Sequence, residues 1–204
     1  MRIDRYESIS KDKYRLFLDN GEVLDLYEDV ILDDGLLYNK NIDSVKYDNI
    51  NNDNVIAEFY HNCLSYIKSR LRSEKEIRNY LIKKKASDEQ INKVVNKLKK
   101  NNIINDDYFC KCFIHDKMMF SMQGEYKIIL ELRNAGIDEN IIQNNYNLFD
   151  KEIMREKINK LIEKYLKSDK KNNGFKLKNK IYTNLMNQGF SKDMILEILS
   201  SYEF

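Results

Sequence analysis

The sequence is poor in several residue types that usually carry chemistry or stabilise small secreted folds. It has no proline, no tryptophan, six glycines, two histidines and three cysteines in 204 residues. Three cysteines exclude a disulfide framework, and an odd number favours reduced thiols in a cytoplasm. We draw no structural conclusion from the missing proline, because the richness in Asn, Lys, Ile and Tyr is typical of an AT-rich genome.

Long apolar runs are also missing. No stretch of about 18 apolar residues occurs, so the sequence predicts no membrane span. The first ten residues contain no apolar core of about seven residues, so we expect no secretory signal there and a cytoplasmic protein. Charged residues make up 33% of the chain, above the roughly 25% of an average globular protein, whereas 14 Tyr and 9 Phe argue against disorder.

Charge is distributed unevenly along the chain, although the formal net charge is only +2. Residues 1–55 hold 7 basic and 13 acidic side chains, a net of −6, and the remainder holds 28 and 20, a net of +8. The simplest interpretation is a set of solvated faces without a common function. A sharper hypothesis is that the basic part meets a polyanion or an acidic protein groove.

Residues 1–54 are expected to form a small antiparallel β element followed by a linker. Asn20-Gly21 lies between two apolar runs and predicts a hairpin with a type I′ turn. Residues 1–8 are a candidate third strand. Residues 49–54 are polar and rich in Asn, so we expect the linker there.

From Val55 onward the apolar period is 3.6 residues, which indicates helix, and the pattern occurs three times. Ile77, Ile128 and Ile181 are equivalent positions, at spacings of 51 and 53 residues. Six further columns keep this register: Leu81, Leu132 and Leu185; Lys85, Gly136 and Gly189; Ala86, Ile137 and Phe190; Ile91, Ile142 and Ile195; Val95, Tyr146 and Leu199; and Leu98, Phe149 and Tyr202.

Each copy is expected to contain three helices. The middle helix ends at glycine in two copies, where a left-handed residue is typical, and Ser87, Asp138 and Ser191 are placed to cap the last helix. The first helices are predicted at about 56–72, 106–120 and 150–167. The predicted fold is therefore mainly α: tandem three-helix repeats at 55–104, 105–149 and 150–204, forming an elongated curved array behind the small β element.

The sequence contains no recognisable catalytic motif: no Walker phosphate loop, no dinucleotide-binding glycine pattern and no G-x-S-x-G elbow. His61-x-Cys63 and Cys110-x-Cys112-x-x-His115 have the composition of a zinc site. Both fall in predicted helices, where side chains two residues apart point about 200° apart. We therefore expect no metal, no cofactor and no enzymatic activity, with Cys110 or Cys112 serving as a small core residue.

Two patterns leave nucleic-acid binding open. Aromatic side chains among the basic residues could stack on single-stranded bases, although packing between helices is the favoured interpretation. These aromatic residues are Tyr60, Tyr66, Tyr80, Tyr108, Phe109, Phe113, Phe120 and Tyr126. A DNA-reading helix at 87–100 would present Gln90, Asn92, Lys93, Asn96 and Lys97, but simple operator binding does not require a threefold repeat.

The segment 64–143 resembles the RecX family of recombinase regulators. Residues 71–81 (LRSEKEIRNYL) are similar to the family's R-S-E-x-E-L-x-x-x-L, and residues 104–109 (INDDYF) to L-x-D-D-x-x-F-A. Residues 124–137 resemble the G-x-x-x-I-x-x-x-L-x-x-x-G-I of the middle unit, whereas Lys85 departs from the glycine that is usual at the first turn. With the third copy, the resemblance covers about 150 residues.

The resemblance implies a negative regulator of RecA, active in DNA repair, homologous recombination and the SOS response. Family members bind the groove of the RecA filament on single-stranded DNA and inhibit its ATP hydrolysis, strand exchange and coprotease activity. The alternative is a helical protein that binds DNA without RecA; weak direct DNA binding is compatible with both. Candidate contacts are Arg70, Arg72, Lys83, Lys84, Lys85, Lys97, Lys100, Lys127 and Arg133. We expect a monomer, because the repeats bury their own apolar faces and no heptad seam runs through them.

Overall fold

The computed structural model describes residues 1–168 and 174–203. Three antiparallel strands begin the fold in spatial order β1-β2-β3: β1 (Ile3–Ser10), β2 (Lys13–Leu18) and β3 (Val23–Tyr27). The helices of the described residues are α1 (Glu28–Asp33), α2 (Ser44–Ile67), α3 (Glu74–Lys83), α4 (Asp88–Lys100), α5 (Asp106–Phe120), α6 (Glu125–Asn134), α7 (Glu139–Asn144), α8 (Lys151–Ser168), α9 (Gly174–Asn187) and α10 (Lys192–Leu199), with a 3-10 helix at Tyr146–Leu148. The predicted class, mainly α with a small N-terminal antiparallel sheet, is confirmed.

The chain forms two compact units. The first comprises Met1–Arg72 and Ile77–Ile103, and the second comprises Ser73–Glu76 and the chain from Ile104 onward. The division into one β segment and three repeats stays a prediction, because these units are defined by packing and not by sequence similarity. Buried side chains of the sheet and of its neighbouring helices include Ile3, Leu16, Leu26, Ile31 and Ile50.

The predicted hairpin between β2 and β3 is present, but its predicted type I′ turn is wrong. That turn needs positive φ at both central residues, whereas here Gly21 has φ +85° and Asn20 is not left-handed. The Gly21 N–H donates to the Leu18 carbonyl at 3.0 Å, and the Leu18 N–H donates to the Glu22 carbonyl at 2.9 Å. The loop therefore has three residues and ends in a glycine bulge, because Asp19 lies in the turn and not in the strand.

The predicted linker at residues 49–54 is also wrong, because these residues are the middle of α2. The helix starts at Ser44, and the side chain of Asp43 caps it by accepting the Lys46 N–H at 2.8 Å. Ile50 is completely buried against the sheet side of the first unit. Tertiary burial of this one apolar residue outweighs the low helix propensity of the asparagines around it.

Asn54 on α2 closes the outer edge of β3. Its side-chain oxygen accepts the Tyr27 N–H at 3.0 Å, and its side-chain nitrogen donates to the Asp25 carbonyl at 3.0 Å. The amide therefore supplies the donor and the acceptor that a neighbouring strand would supply. One helix is thus tied directly to the sheet.

The turn after the middle helix has the same geometry in all three copies. Lys85 has φ +64°, and the equivalent Gly136 and Gly189 have φ +83° and +87°. In the first copy the Lys85 N–H donates to the Ile82 carbonyl at 2.9 Å, and the Ala86 N–H donates to the Leu81 carbonyl at 3.1 Å. These two bonds define a Schellman ending, and the matching pairs occur after α6 and α9. Lys85 therefore adopts a conformation that favours glycine.

Two of the three predicted helix caps form the expected bond. Ser87 and Gln90 make a reciprocal capping box at the start of α4, and the Asp138 side chain accepts the Asn140 N–H at 2.8 Å before α7. Ser191 occupies the cap position of α10 without a side-chain bond to the helix. Nothing in the structure explains this difference.

The start of α6 lies directly against the turn that ends α9. The Gly124 N–H donates to the Gln188 carbonyl at 2.8 Å, and the Tyr126 N–H donates to the Gly189 carbonyl at 2.9 Å. A Cβ on Gly124 would lie 2.3 Å from the Gly189 carbonyl carbon, and a Cβ on Gly189 would lie 2.5 Å from the Lys127 nitrogen. Glycine is therefore required on both sides of this contact, because the two backbones touch.

A similar contact occurs between the start of α3 and the end of α6. There the donors are side chains and not backbone N–H groups. Ser73, which is equivalent to Gly124, donates its hydroxyl to the Ala135 carbonyl at 2.6 Å, and the Lys75 ammonium donates to the Asn134 carbonyl at 3.2 Å. Both bonds satisfy carbonyl groups at the end of α6, which lack partners within the helix. Both contacts lie within the second unit, and each connects the start of one helix to the end of a later one.

Candidate functional site

Three consecutive candidate residues form one exposed cationic feature, which we call the lysine turn (Lys83, Lys84 and Lys85). Lys83 is the last residue of α3, and the other two lie in the turn before α4. All three are exposed. The Schellman bonds fix the backbone here, so the lysine turn presents its charges from a defined position.

The charges of the lysine turn are not neutralised within the described part of the chain. No carboxylate of residues 1–168 or 174–203 forms an ion pair with Lys83, Lys84, Lys85 or Lys100. The Lys84 ammonium lies 5.7 Å from the centre of the Tyr80 ring, a contact that leaves its charge in place. Lys100 is also exposed, at the end of α4. These four residues are therefore able to contact an anionic partner.

Lys97, another candidate, is held inside the first unit. Its ammonium donates to the Asp29 carboxylate at 2.7 Å and lies 4.9 Å from the Tyr60 ring centre. The His61 imidazole approaches the same carboxylate at 3.8 Å and stacks on Tyr27, with ring centres 4.3 Å apart. Lys97 thus joins α4 to α1, and its charge is partly neutralised.

Arg133 and Lys127, the candidates on α6, also make internal contacts. The Arg133 guanidinium forms two bonds with the Glu139 carboxylate, at 2.8 and 2.9 Å, and these hold the pKa of Glu139 at about 2. Lys127 is half-buried, and its ammonium lies 3.5 Å from the side-chain oxygen of Gln188. The charges of both residues are therefore more engaged by internal partners than those of the lysine turn.

The two candidate arginines after α2 bind residues close to them in sequence. The Arg72 guanidinium lies 3.9 Å from the Tyr66 ring centre and donates to the Ser69 hydroxyl at 3.2 Å. Arg70 donates to the Leu71 carbonyl at 2.9 Å. The structure therefore distributes the nine candidates over several elements and leaves the lysine turn and Lys100 as the least engaged.

Most polar side chains of the hypothetical DNA-reading helix already have partners. Gln90 belongs to the capping box, Asn92 accepts from Arg78 at 2.9 Å, and Lys93 pairs with Glu89 at 2.8 Å. Asn96 is exposed. A helix that reads bases needs several free donors and acceptors in a row, and α4 offers few.

Packing, the favoured interpretation of the aromatic side chains, is confirmed for most of the eight residues, and three of them are exposed. Tyr60 and Phe109 are buried, and Tyr66 stacks on Tyr80 with ring centres 4.3 Å apart. Phe120 is 84% exposed. The exposed group that packing fails to explain consists of Tyr108, Phe120 and Tyr126.

Sequence reasoning did not single out the methionines around Phe120. Met119 and Met122 are exposed beside it, and Met118 is buried below. They border a groove of about 220 Å³ that also contains the buried ammonium of Lys157, which donates to the Lys117 carbonyl at 3.0 Å. The sequence signal for this cluster is the run MMFSM at residues 118–122, where a helix ends. An exposed apolar cluster of this kind marks an interaction surface.

The cysteines lie where the helix prediction puts them. His61 and Cys63 are in α2, and Cys110 and Cys112 are in α5, so both groups are confirmed as helical. Cys63 and Cys110 are completely buried, and burial raises the pKa of their thiols to about 12 and about 11. Among residues 1–168 and 174–203, no group of three or more His, Cys, Asp or Glu is arranged to hold a metal ion. No helix of these residues combines the length and the apolarity needed to cross a membrane.

Comparison with known proteins matches two parts of the helical region. Residues 60–98 match the family model for the first three-helix domain of RecX, and residues 152–199 match that for the third three-helix domain. A crystal structure of a regulatory protein RecX superposes with a TM-score of 0.86 over 98% of this chain and 99% of its own, at 22% identity, and so supports the fold.

Relatives extend the similarity to nearly the whole chain. A protein named Regulatory protein RecX from Finegoldia magna is 32% identical, covering 96% of this chain and 92% of its own length. One from Lactococcus lactis subsp. lactis is 34% identical, covering 95% and 74%. The crystal structure of RecX from Lactobacillus salivarius has a TM-score of 0.65 at 30% identity, covering 71% and 94%. With identity above 30% over most of both chains, this chain belongs to the RecX family.

Proposed function

We propose that this chain is a negative regulator of RecA that binds the groove of the RecA filament on single-stranded DNA. Binding there would inhibit ATP hydrolysis, strand exchange and coprotease activity, in the cytoplasm and within the recombination and SOS responses. The observation that carries the proposal is the similarity to Regulatory protein RecX over 96% of this chain and 92% of that relative.

The lysine turn supplies a physical basis for contact with the filament. A groove lined by protein and DNA phosphate is anionic, and unpaired ammonium groups gain most from entering it because they lose no internal partner. Within the described part of the chain, Lys83, Lys84 and Lys85 are exposed and form no ion pair, and Lys100 shares both properties. Lys97 and Arg133 would have to break short internal bonds before they could contribute to the same degree.

A direct test measures RecA ATP hydrolysis on single-stranded DNA while this protein is titrated in, with binding to the same DNA measured without RecA. We expect inhibition at concentrations well below those needed to coat bare DNA. Inhibition that begins only where bare DNA is saturated would contradict a regulator directed at the filament.

Charge reversal locates the contact. The Lys83→Glu/Lys84→Glu double variant should raise the concentration for half-inhibition by about tenfold or more, since two attractive contacts become repulsive. The matched control is Lys151→Glu/Lys192→Glu, which makes the same charge change at two exposed lysines in the first turns of α8 and α10. Equal loss in both variants would mean that net charge, and not the lysine turn, governs binding.

A second candidate function is DNA binding without RecA. Tyr108, Phe120 and Tyr126 are more than half exposed, and flat rings among basic residues suit stacking on single-stranded bases. This function predicts binding to bare DNA that falls steeply with salt and that Phe120→Ala weakens. The bare-DNA arm of the ATPase experiment separates the two candidates.

A further inference from the structure

The N-terminal sheet has one closed edge and one open edge. Asn54 occupies the outer edge of β3, as described above. On the outer edge of β1, the Ile3 N–H donates to the Lys40 carbonyl at 2.8 Å. From Asp4 to Ser10, β1 makes no backbone hydrogen bond to any described residue outside β2. The backbone of this stretch is therefore free to pair with another strand.

β1 is long and exposed for an edge strand. It has eight residues, of which six are exposed, including Ile9 at 46%. Soluble proteins usually shorten or cover an unpaired edge, because it is a template for another chain. β1 has irregular pairing with β2 at its two ends, between Ile3 and Arg5 and between Ser8 and Ser10, so the regular part of the strand is its middle.

The inner face beside this edge is apolar and incompletely covered. Tyr6 pairs with Leu16, which is completely buried, so Tyr6 lies on the inner face of the sheet. A groove of about 180 Å³ opens next to it, and Leu32 and Leu37 at its rim are 55% and 48% exposed. The groove is lined by Tyr6, Tyr14, Glu28, Ile31, Leu32 and Leu37. A strand added to β1 would place alternate side chains over this groove.

The outer face of β1 carries two opposite charges on either side of Tyr6. Arg5 pairs with Phe17 and lies over its ring at 3.7 Å, and Glu7 pairs with Arg15. If two β1 strands run antiparallel with Tyr6 opposite Tyr6, each Arg5 faces the Glu7 of the other copy. Opposite charges in directly facing positions stabilise an antiparallel pair, and this register forms two such pairs at once.

We propose that β1 is a homodimerisation strand, through which two copies pair antiparallel about Tyr6 into one continuous six-stranded sheet. The twofold axis of such a pair is perpendicular to the sheet, so both inner faces lie on the same side. The two grooves, each with its exposed Leu32 and Leu37, then open on the same side of the joined sheet. One strand pair and a few apolar side chains form a small interface, so the dimer is weak, with a dissociation constant in the micromolar range or above.

This proposal departs from the monomer expected from the sequence, because that expectation rested on the helical repeats and did not consider the edge of the sheet. It is also independent of the proposed contact with RecA, because the lysine turn lies outside the sheet. An extended segment of another protein would use the same open edge, but it has no reason to match the Arg5 and Glu7 pattern. Self-complementarity favours the second copy.

Sedimentation velocity over about 1 to 300 μM tests the dimer with the full chain. The natural sequence should shift from monomer to dimer as concentration rises. Arg5→Glu and Glu7→Arg should each weaken the dimer about tenfold or more, because two attractive pairs become repulsive. Circular dichroism and thermal unfolding of each variant verify folding, and Glu22→Arg, a reversal at the exposed hairpin tip, is the matched control that should leave the dimer unchanged.

Two combinations make the test specific for the register. An equimolar mixture of the Arg5→Glu and Glu7→Arg proteins should form a heterodimer, since the carboxylate introduced in one copy then faces the guanidinium introduced in the other. The double variant Arg5→Glu/Glu7→Arg should dimerise like the natural chain. A monomer at every concentration, or a dimer that neither reversal weakens, would overturn the proposal. Hydrogen exchange of the β1 amides gives a further test. If exchange slows only when RecA is added, the open edge pairs with a strand of RecA, and the proposal is overturned.

Discussion

Replacing Lys85 by glycine should stabilise the protein while it removes a charge from the lysine turn. Lys85 holds φ +64°, and an L-residue in this region costs roughly 1–2 kcal/mol that glycine does not. Glycine loses more backbone entropy on folding, which offsets roughly 0.5–1 kcal/mol of that gain. The net expectation is a free energy of unfolding about 0.5–1 kcal/mol higher, or a melting temperature about 1–4 °C higher in a chain of this size.

Lys84→Gly is the matched control for this measurement. It removes the same charge at the neighbouring exposed position, which is not in the left-handed region. It should lower the free energy of unfolding by about 0.5–1 kcal/mol, because only the entropy cost of glycine applies. Urea unfolding followed by circular dichroism at 222 nm compares the two variants. If Lys85→Gly is no more stable than Lys84→Gly, the left-handed backbone of Lys85 does not destabilise the natural protein.

The same variant separates stability from binding. If the lysine turn contacts the RecA filament, Lys85→Gly should be more stable and yet a weaker inhibitor of RecA ATP hydrolysis. A folding defect lowers stability and activity together, so opposite changes identify loss of a contact.

Two further outcomes follow from the packing of particular residues. Gly189→Ala should lower the free energy of unfolding at least about 1 kcal/mol more than Gly136→Ala, measured by urea unfolding. The new Cβ lies 2.5 Å from the backbone nitrogen of Lys127 in the first case, whereas in the second its nearest neighbours are the side-chain atoms of Lys75, of which the Cδ at 2.4 Å can move away. Similar losses in both variants would contradict the backbone contact. In the native protein at pH 8, a thiol reagent should label Cys112 and leave Cys63 and Cys110 unmodified until urea is added, because burial raises the pKa of the last two to about 12 and about 11. Labelling of more than one thiol per native chain would count against this burial.

The repeat made much of the helical fold predictable from sequence. Aligning Lys85 with Gly136 and Gly189 located three equivalent turns, and all three have positive φ although one is a lysine. When a pattern occurs three times, its position can be predicted from all three copies together. A single residue that is unfavourable for the turn, such as Lys85, then does not prevent the prediction. The resemblance to RecX rested on several of these columns together with residues 71–74 and 104–109.

The errors in the N-terminal part have a different origin. Residues 49–54 have the composition of a linker, but Ile50 is buried and Asn54 binds the sheet. Asn20-Gly21 has the signature of a two-residue turn, yet Asp19 enters the loop. Both outcomes depend on partners distant in sequence, and local composition carries no information about such partners.

The sequence predicted which basic residues are candidates for the site, but not which of them are free of internal contacts. Lys97 and Lys100 are equivalent in the sequence, three residues apart on one predicted helix. Only coordinates reveal that Lys97 is bound to Asp29, which lies 68 residues away in the chain. Whether a basic residue is free depends on tertiary contacts, so charge counting overestimates the surface available to a partner.

The bonds from Asn54 to β3 also bear on how this chain can be divided and how it could have evolved. Because α2 is both the support of the sheet and the first helix of the first repeat, a cut at residue 55 would leave half a helix on each side. A shortened protein that begins there would expose the surface that Ile50 covers. The N-terminal extension is therefore not a separate module that recombination could add or remove at that boundary without rebuilding α2.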